Sequence, residues 1–263
     1  MTIELNVTTK LEHRQLAKLA ENLYPSLRQI DTVEEAGYLV VGENNSSVLT
    51  GMLDYWKCVC PEAGMPYWAI RSWTLLVWQP VYLGVIGVYG LGVLPALTSI
   101  HQKVTGGNVA GFFFSDDRLF HASEQELVFK AAKGLRGFCD ELFEEFSGIV
   151  RLKYAIAIRL FADTLLSIIS DLNTIRPAFN NKEIQRLARN WLVAADLKNQ
   201  SALTPIRLRD GREVLALNRK SCCLHYLRGG GELCASCPKQ KRPVRLKRLV
   251  EEYESNLSTE ISR

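Results

Sequence analysis

Apolar residues recur at three- and four-residue spacing along most of the chain, so helix is the dominant expectation. Ser123-x-x-Glu126 has the form of a capping box, and Leu127, Ala131, Leu135, Phe138 and Leu142 follow it on one stripe. Thr9-x-x-Glu12 predicts a second helix start near the N-terminus. Further helices are predicted over 151–172, apolar on most faces and therefore buried, and over 182–197, before the polar break Lys198 to Ser201. Strand patterns are fewer. Val109 to Phe114 reads as a short buried strand, and Ile206 to Leu208 with Glu213 to Leu217 reads as a hairpin turned by Asp210-Gly211. The expected fold class is α+β: a predominantly helical body over 1–200, then a hairpin and C-terminal segment over 201–263.

One segment breaks the periodic pattern. Ser72 to Ile100 runs for 29 residues without a charged side chain, long enough to span a bilayer. Pro80 and Pro95 are expected to interrupt a single helix there, while Gly84, Gly87, Gly90 and Gly92 suit close packing inside a globule. Trp68, Trp73 and Trp78 recur every five residues and are expected to anchor a core or a partner surface.

Composition narrows the class. With 263 residues and 47% hydrophobic residues, the chain can build one large core or two modest ones. Seven cysteines, two of them adjacent, do not form the even, spaced framework of a secreted disulfide scaffold, and no signal-peptide pattern opens the sequence. A reducing cytoplasm is the expected compartment. Cys58 and Cys60 have no convergent histidine or carboxylate nearby and are expected to be small buried hydrophobes; Cys139 belongs on the apolar side of its helix. His13, His101 and His121 show no metal-ligand spacing.

Charge is uneven. Residues 207–248 hold twelve Lys or Arg against Asp210, Glu213 and Glu232, a local net of +9 in a chain of net +4. Such a field draws anionic partners: an acidic electron carrier, an anionic ligand, nucleic acid or a membrane surface.

The same region holds the chain's strongest chemical signal. Cys222, Cys223, Cys234 and Cys237 fall in the order C-C-x10-C-x2-C. Four thiolates this close can complete a metal shell, because a Cys-x-x-Cys turn aims two sulfurs at one metal and the ten-residue loop returns them to the first pair. The spacing leaves an iron–sulfur cluster, structural zinc and free thiols open. The adjacent pair favours a cluster, since neighbouring side chains in an extended stretch diverge and reach two irons more easily than one ion.

The run K-S-C-C-x-x-Y from Lys220 to Tyr226, followed by C-x2-C, resembles the FhuF-type ferric-siderophore reductases, in which this arrangement binds a [2Fe-2S] cluster. The R-D-G turn at Arg209 to Gly211 and the tryptophan-rich apolar segment are similar more loosely. The chain differs in continuing from Lys239 to Arg263. The resemblance implies that Cys222, Cys223, Cys234 and Cys237 are cluster ligands. The sequence does not identify which of them share an iron; the expectation adopted is Cys234 with Cys237 on one and Cys222 with Cys223 on the other. It implies an oxidoreductase that passes single electrons to Fe(III)-siderophores and releases Fe(II) in the cytoplasm. Peripheral association with the inner membrane is left open.

Neighbouring residues receive expected roles. Lys220, Arg228, Lys239, Lys241 and Arg242 are placed to attract an anionic chelate or donor, and Tyr226 to pack over the cluster. Gly229, Gly230 and Gly231 can let backbone N–H groups approach the sulfurs. His225 is a candidate proton-coupled neighbour or replacement ligand. No G-x-G-x-x-G or Walker A sequence is present. Electrons are therefore expected from a ferredoxin, flavodoxin or flavin reductase. The rival reading is an iron–sulfur or zinc regulatory protein that binds nucleic acid through Lys239 to Arg248 and an amphipathic stretch of Leu246, Leu249, Val250, Tyr253 and Leu257. It lacks any helix-turn-helix or finger spacing, and no nucleic-acid partner is expected.

Overall fold

A computed structural model describes residues 2–30 and 37–261, with side chains at 10–30 and 37–256. Along the chain come α1 (Thr2–Leu23), β1 (Tyr38–Leu39), α2 (Ser46–Val59), α3 (Gly64–Ile86), β2 (Val93–Pro95), β3 (Ile100–Thr105), β4 (Asn108–Phe114) and β5 (Leu119–His121). Then follow α4 (Glu124–Ile149), α5 (Tyr154–Ser170), α6 (Leu172–Ile175), α7 (Asn181–Ala194), β6 (Leu203–Arg207), β7 (Glu213–Leu217) and α8 (Arg242–Ile261). The α+β class is as expected. The sheets are small and antiparallel: β1-β3-β4, β2-β5 and the β6-β7 hairpin.

α3 is the hub, packed by α1, α2, α4, α5 and β4. It carries apolar residues all round because it meets neighbours all round. The stretch Pro61–Leu91 is long and apolar enough to cross a membrane, with mean hydropathy 1.4, yet 67% of its most apolar part is buried against the protein's other elements. The three tryptophans are anchors of this core. Trp68, Trp73 and Trp78 each donate an indole N–H to a backbone carbonyl, of Cys60 (2.8 Å), Ala157 (2.9 Å) and Val109 (3.0 Å).

Pro80 does not break α3. It sits inside the helix, and having no N–H it leaves the carbonyl of Leu76 without its helical donor. Gln102, fully buried on β3, supplies one: its Nε2 donates to Leu76 O at 3.0 Å. The helix ends instead in a π-turn over Gly87–Leu91, closed by Gly92 in the left-handed region at φ 69°. A Cβ on Gly87 would lie 2.8 Å from the backbone oxygen of Val93, so that close approach requires glycine.

The helix starts meet mixed outcomes. Ser123 caps α4 with the full reciprocal box, and all five residues of its predicted stripe are buried. Thr9 does not start a helix, because α1 begins upstream at Thr2. Asn180 caps α7 with its own box to Glu183. Cys139 is in the core as expected, but Cys58 is exposed on α2 while Cys60 is buried.

From Leu203 onward a small second core forms, of Ile206, Ala216, Ala235 and Leu249 with Val214, Leu246, Val250 and Tyr253 packed on it. The apolar stripe of α8 is thus covered by the hairpin, at Leu246, Leu249, Val250 and Tyr253; the side chain of Leu257 lies outside the described residues.

Candidate metal centre

The hairpin is firmly set. Gly211 takes φ 88° at the tip, Asp210 accepts from the Arg212 N–H at 2.9 Å, and Tyr253 of α8 donates its hydroxyl to Leu215 O at 2.8 Å. β7 delivers the chain to Arg219, whose side chain is 16% exposed and whose Nε donates to Asp163 Oδ2 at 2.9 Å. Asp163, on α5, is 6% exposed and also accepts from Ser201 Oγ at 2.5 Å. Burial raises the Asp163 carboxyl above its usual range, and Arg219 and Ser201 pull it back. This buried pair ties the cysteine segment to the helical body.

Beyond it the chain turns sharply. Leu224 takes φ 57°, unusual for a branched residue, and leads into a short 3-10 turn at His225–Leu227. Its own N–H donates to Cys222 Sγ at 3.4 Å, and the N–H of His225 donates to Cys223. The triple glycine does not play that part. Gly229 N–H donates to Glu62 Oε1 at 2.7 Å, and Gly231 N–H to Arg228 O at 2.7 Å. A Cβ on Gly231 would stand 2.8 Å from Arg228 O, so the tight return of the loop explains that glycine. The Cys234-x-x-Cys237 turn is closed by Cys237 N–H to Cys234 O at 3.0 Å, and Gln240 Nε2 donates to Cys234 O at 2.8 Å. Arg248 of α8 in turn donates to Gln240 Oε1 at 2.9 Å. The long C-terminal helix therefore steadies the second pair of cysteines.

Two of the four sulfurs meet directly: Cys222 Sγ and Cys237 Sγ are 3.4 Å apart. The Cys234 thiol, with the His225 N–H and Arg219, holds the Cys223 sulfur down to about 5, against the opposing effect of burial. Its bond to Cys223 pushes the Cys234 thiol up, while burial pushes Cys222 up to about 11. Among the described residues no three His, Cys, Asp or Glu side chains gather round one ion. Cys222 and Cys237 form one close pair, which leaves Cys223 and Cys234 for a second, a donor set that two irons could share. Cys237 is buried and the other three are partly exposed.

Of the other expected residues, Lys239 donates to Tyr226 Oη at 2.6 Å and lies 4.8 Å over its ring. Lys220 donates to Asn199 O, and Arg228 is bonded to the Cys60 thiol. Lys241 and Arg242 are exposed at the start of α8. His225 is exposed, its ring 6.1 Å from that of the buried Tyr67. Sequence reasoning missed Asp163, Ser201, Glu62 and Gln240. The one available signal was Asp163, a lone carboxylate in an otherwise apolar helix, where a buried acid requires a partner.

This arrangement, a helical body presenting four thiols on a pinned loop, defines an iron–sulfur protein with its centre near the carboxyl end. Residues 219–239 match the FhuF 2Fe-2S C-terminal domain, from the buried Arg219 to the Lys239 that covers Tyr226. The four cysteines lie in a domain of [2Fe-2S]-binding type, as the resemblance implied. No solved structure matches the chain.

Proposed function

We propose that the protein is a ferric-siderophore reductase of the cytoplasm, with Cys222, Cys223, Cys234 and Cys237 as the ligands of its [2Fe-2S] cluster. A bound cluster supplies one electron at a time at a potential set by charge, exposure and hydrogen bonds to sulfur. Siderophores hold Fe(III) through hard anionic oxygens, which bind the less charged Fe(II) far more weakly, so a single electron frees the metal. What supports this reading is a stretch holding three partly exposed cysteines in which Lys220, Arg228, Lys239, Lys241 and Arg242 form a basic fringe along the sequence. An anionic chelate is drawn to that fringe and brought within electron-transfer reach of the sulfurs. Electrons arrive from a carrier such as a ferredoxin, flavodoxin or flavin reductase, because the sequence has no dinucleotide-binding motif. The nucleic-acid reading has only the basic stretch Lys239 to Arg248 behind it, since no helix-turn-helix or finger spacing accompanies it.

The test is anaerobic. Protein reduced with dithionite and desalted should regain its oxidised visible spectrum when a ferric siderophore is added, with Fe(II) appearing in a ferrous-specific chelator. A chromophore that stays reduced would overturn the proposal. NADPH without a carrier should release no iron.

A further inference from the structure

We infer that the two irons are held crosswise: Cys222 shares one with Cys237, and Cys223 shares the other with Cys234. This rests on the four cysteines being the ligands, and it stands whether or not ferric siderophores are the substrate. It replaces the sequence-based expectation that each iron takes the two cysteines nearest in sequence.

Three observations carry it. The first is distance: two thiolates each about 2.3 Å from a tetrahedral metal stand roughly 3.7 Å apart. Cys222 Sγ and Cys237 Sγ are already 3.4 Å apart, which leaves Cys223 and Cys234 as the second pair. The second is the backbone. Cys222 Sγ turns to the Leu224 N–H at 3.4 Å and to Cys237 Sγ, and not to the adjacent Cys223, just before the left-handed turn at Leu224. Adjacent side chains thus diverge, as alternation along an extended chain requires. The third is charge: the buried Arg219 lies in the field of Cys223 and Cys234, whereas the exposed Lys239 lies in that of Cys222 and Cys237. The pairs face different cations, so their irons are electronically unlike.

The cluster-loaded protein, with Cys222→Ser, Cys223→Ser, Cys234→Ser and Cys237→Ser made singly, tests this by Mössbauer and EPR spectroscopy of the reduced state. A serine oxygen alters the iron it binds, so C222S and C237S should share one spectral signature and C223S and C234S a second. Any other grouping overturns the inference. Variants that do not assemble a cluster are covered by a second measurement on the full-length metal-free chain. Mild thiol oxidation followed by trypsin should link peptides 221–228 and 229–239 to each other, with fragmentation placing Cys222 on Cys237 and Cys223 on Cys234. Disulfides within either peptide, or the opposite crossing, would overturn it. Absence of iron and acid-labile sulfide from the unsubstituted protein would instead sink the ligand assignment itself.

Discussion

Arg219 keeps its charge with little of its side chain in water, and Asp163 on α5 makes this tolerable. Removing one partner of a buried pair leaves the other uncompensated, which costs about 3–5 kcal/mol. Asp163→Asn should therefore lower stability by that order in urea unfolding, more than Arg219→Met, because the carboxyl stranded in R219M is already raised by burial and can take up a proton, whereas a stranded guanidinium cannot lose one. The two should also move the cluster in opposite directions. An extra electron is favoured by a nearby cation and disfavoured by an anion. R219M should thus lower the midpoint potential and D163N raise it, each on the order of 50 mV. Equal potentials in all three proteins, measured by redox titration, would show that the pair acts only as a structural clasp. Gln102 makes a comparable point without charge. Replacing it by leucine should cost about 1–3 kcal/mol, because the Leu76 carbonyl is then buried with no donor.

At the scale of elements, that loss has its cause in α3. Pro80→Ala restores a backbone N–H for the Leu76 carbonyl, so Gln102→Leu should cost less in the P80A background than alone. A double-mutant cycle with no coupling would refute the link. The same residue shows how far the sequence was legible. A proline in an apolar run predicts a break when the helix is considered alone, and only a donor 22 residues further along explains why it holds. Helix α4 was readable because its cap and its stripe are local, and so was the hairpin, whose Asp210-Gly211 turn lies within its own span. Thr9 misled for the opposite reason: a capping pattern inside a helix that begins earlier is just three residues in a row of turns. At the site, the cysteines were readable from spacing, but their pairing, the Glu62 contact and the Arg219 clasp depend on partners from 15 to 167 residues away. The extension after Cys237 was visible and its purpose was not. α8 closes the second core and steadies the Cys234 turn through Arg248 and Gln240, so Leu249→Ala should loosen both. We expect it to cost about 2–3 kcal/mol, at the lower end of buried leucine truncations because this core is small. It should also speed loss of the cluster to a chelator.

For the molecule as a whole, the segregation of charge becomes a statement about rates. The +9 carried by 207–248 stands against a net negative remainder, so the basic stretch, toward the C-terminal end, is the one that carries the cysteines. On the proposed function, an acidic carrier or an anionic ferric chelate would be steered to that end, and steering raises the encounter rate while leaving the chemistry after contact unchanged. Lys241 and Arg242 are the cleanest probes, since both are exposed and neither bonds to the cysteine loop, whereas Lys239 is engaged with Tyr226 and Lys220 with Asn199. The K241Q/R242Q variant should keep the unsubstituted protein's spectrum and midpoint potential. Its second-order rate of reduction by an acidic carrier should fall about fivefold at low ionic strength. The difference should shrink as salt is added, because at 1 M the screening length contracts to about 3 Å, below the separation of docking surface charges. Stopped-flow traces at a series of salt concentrations decide the matter. A deficit that persists at high salt would mean that these side chains make specific contacts rather than a field, and identical rates at low salt would mean that the carrier approaches from another face.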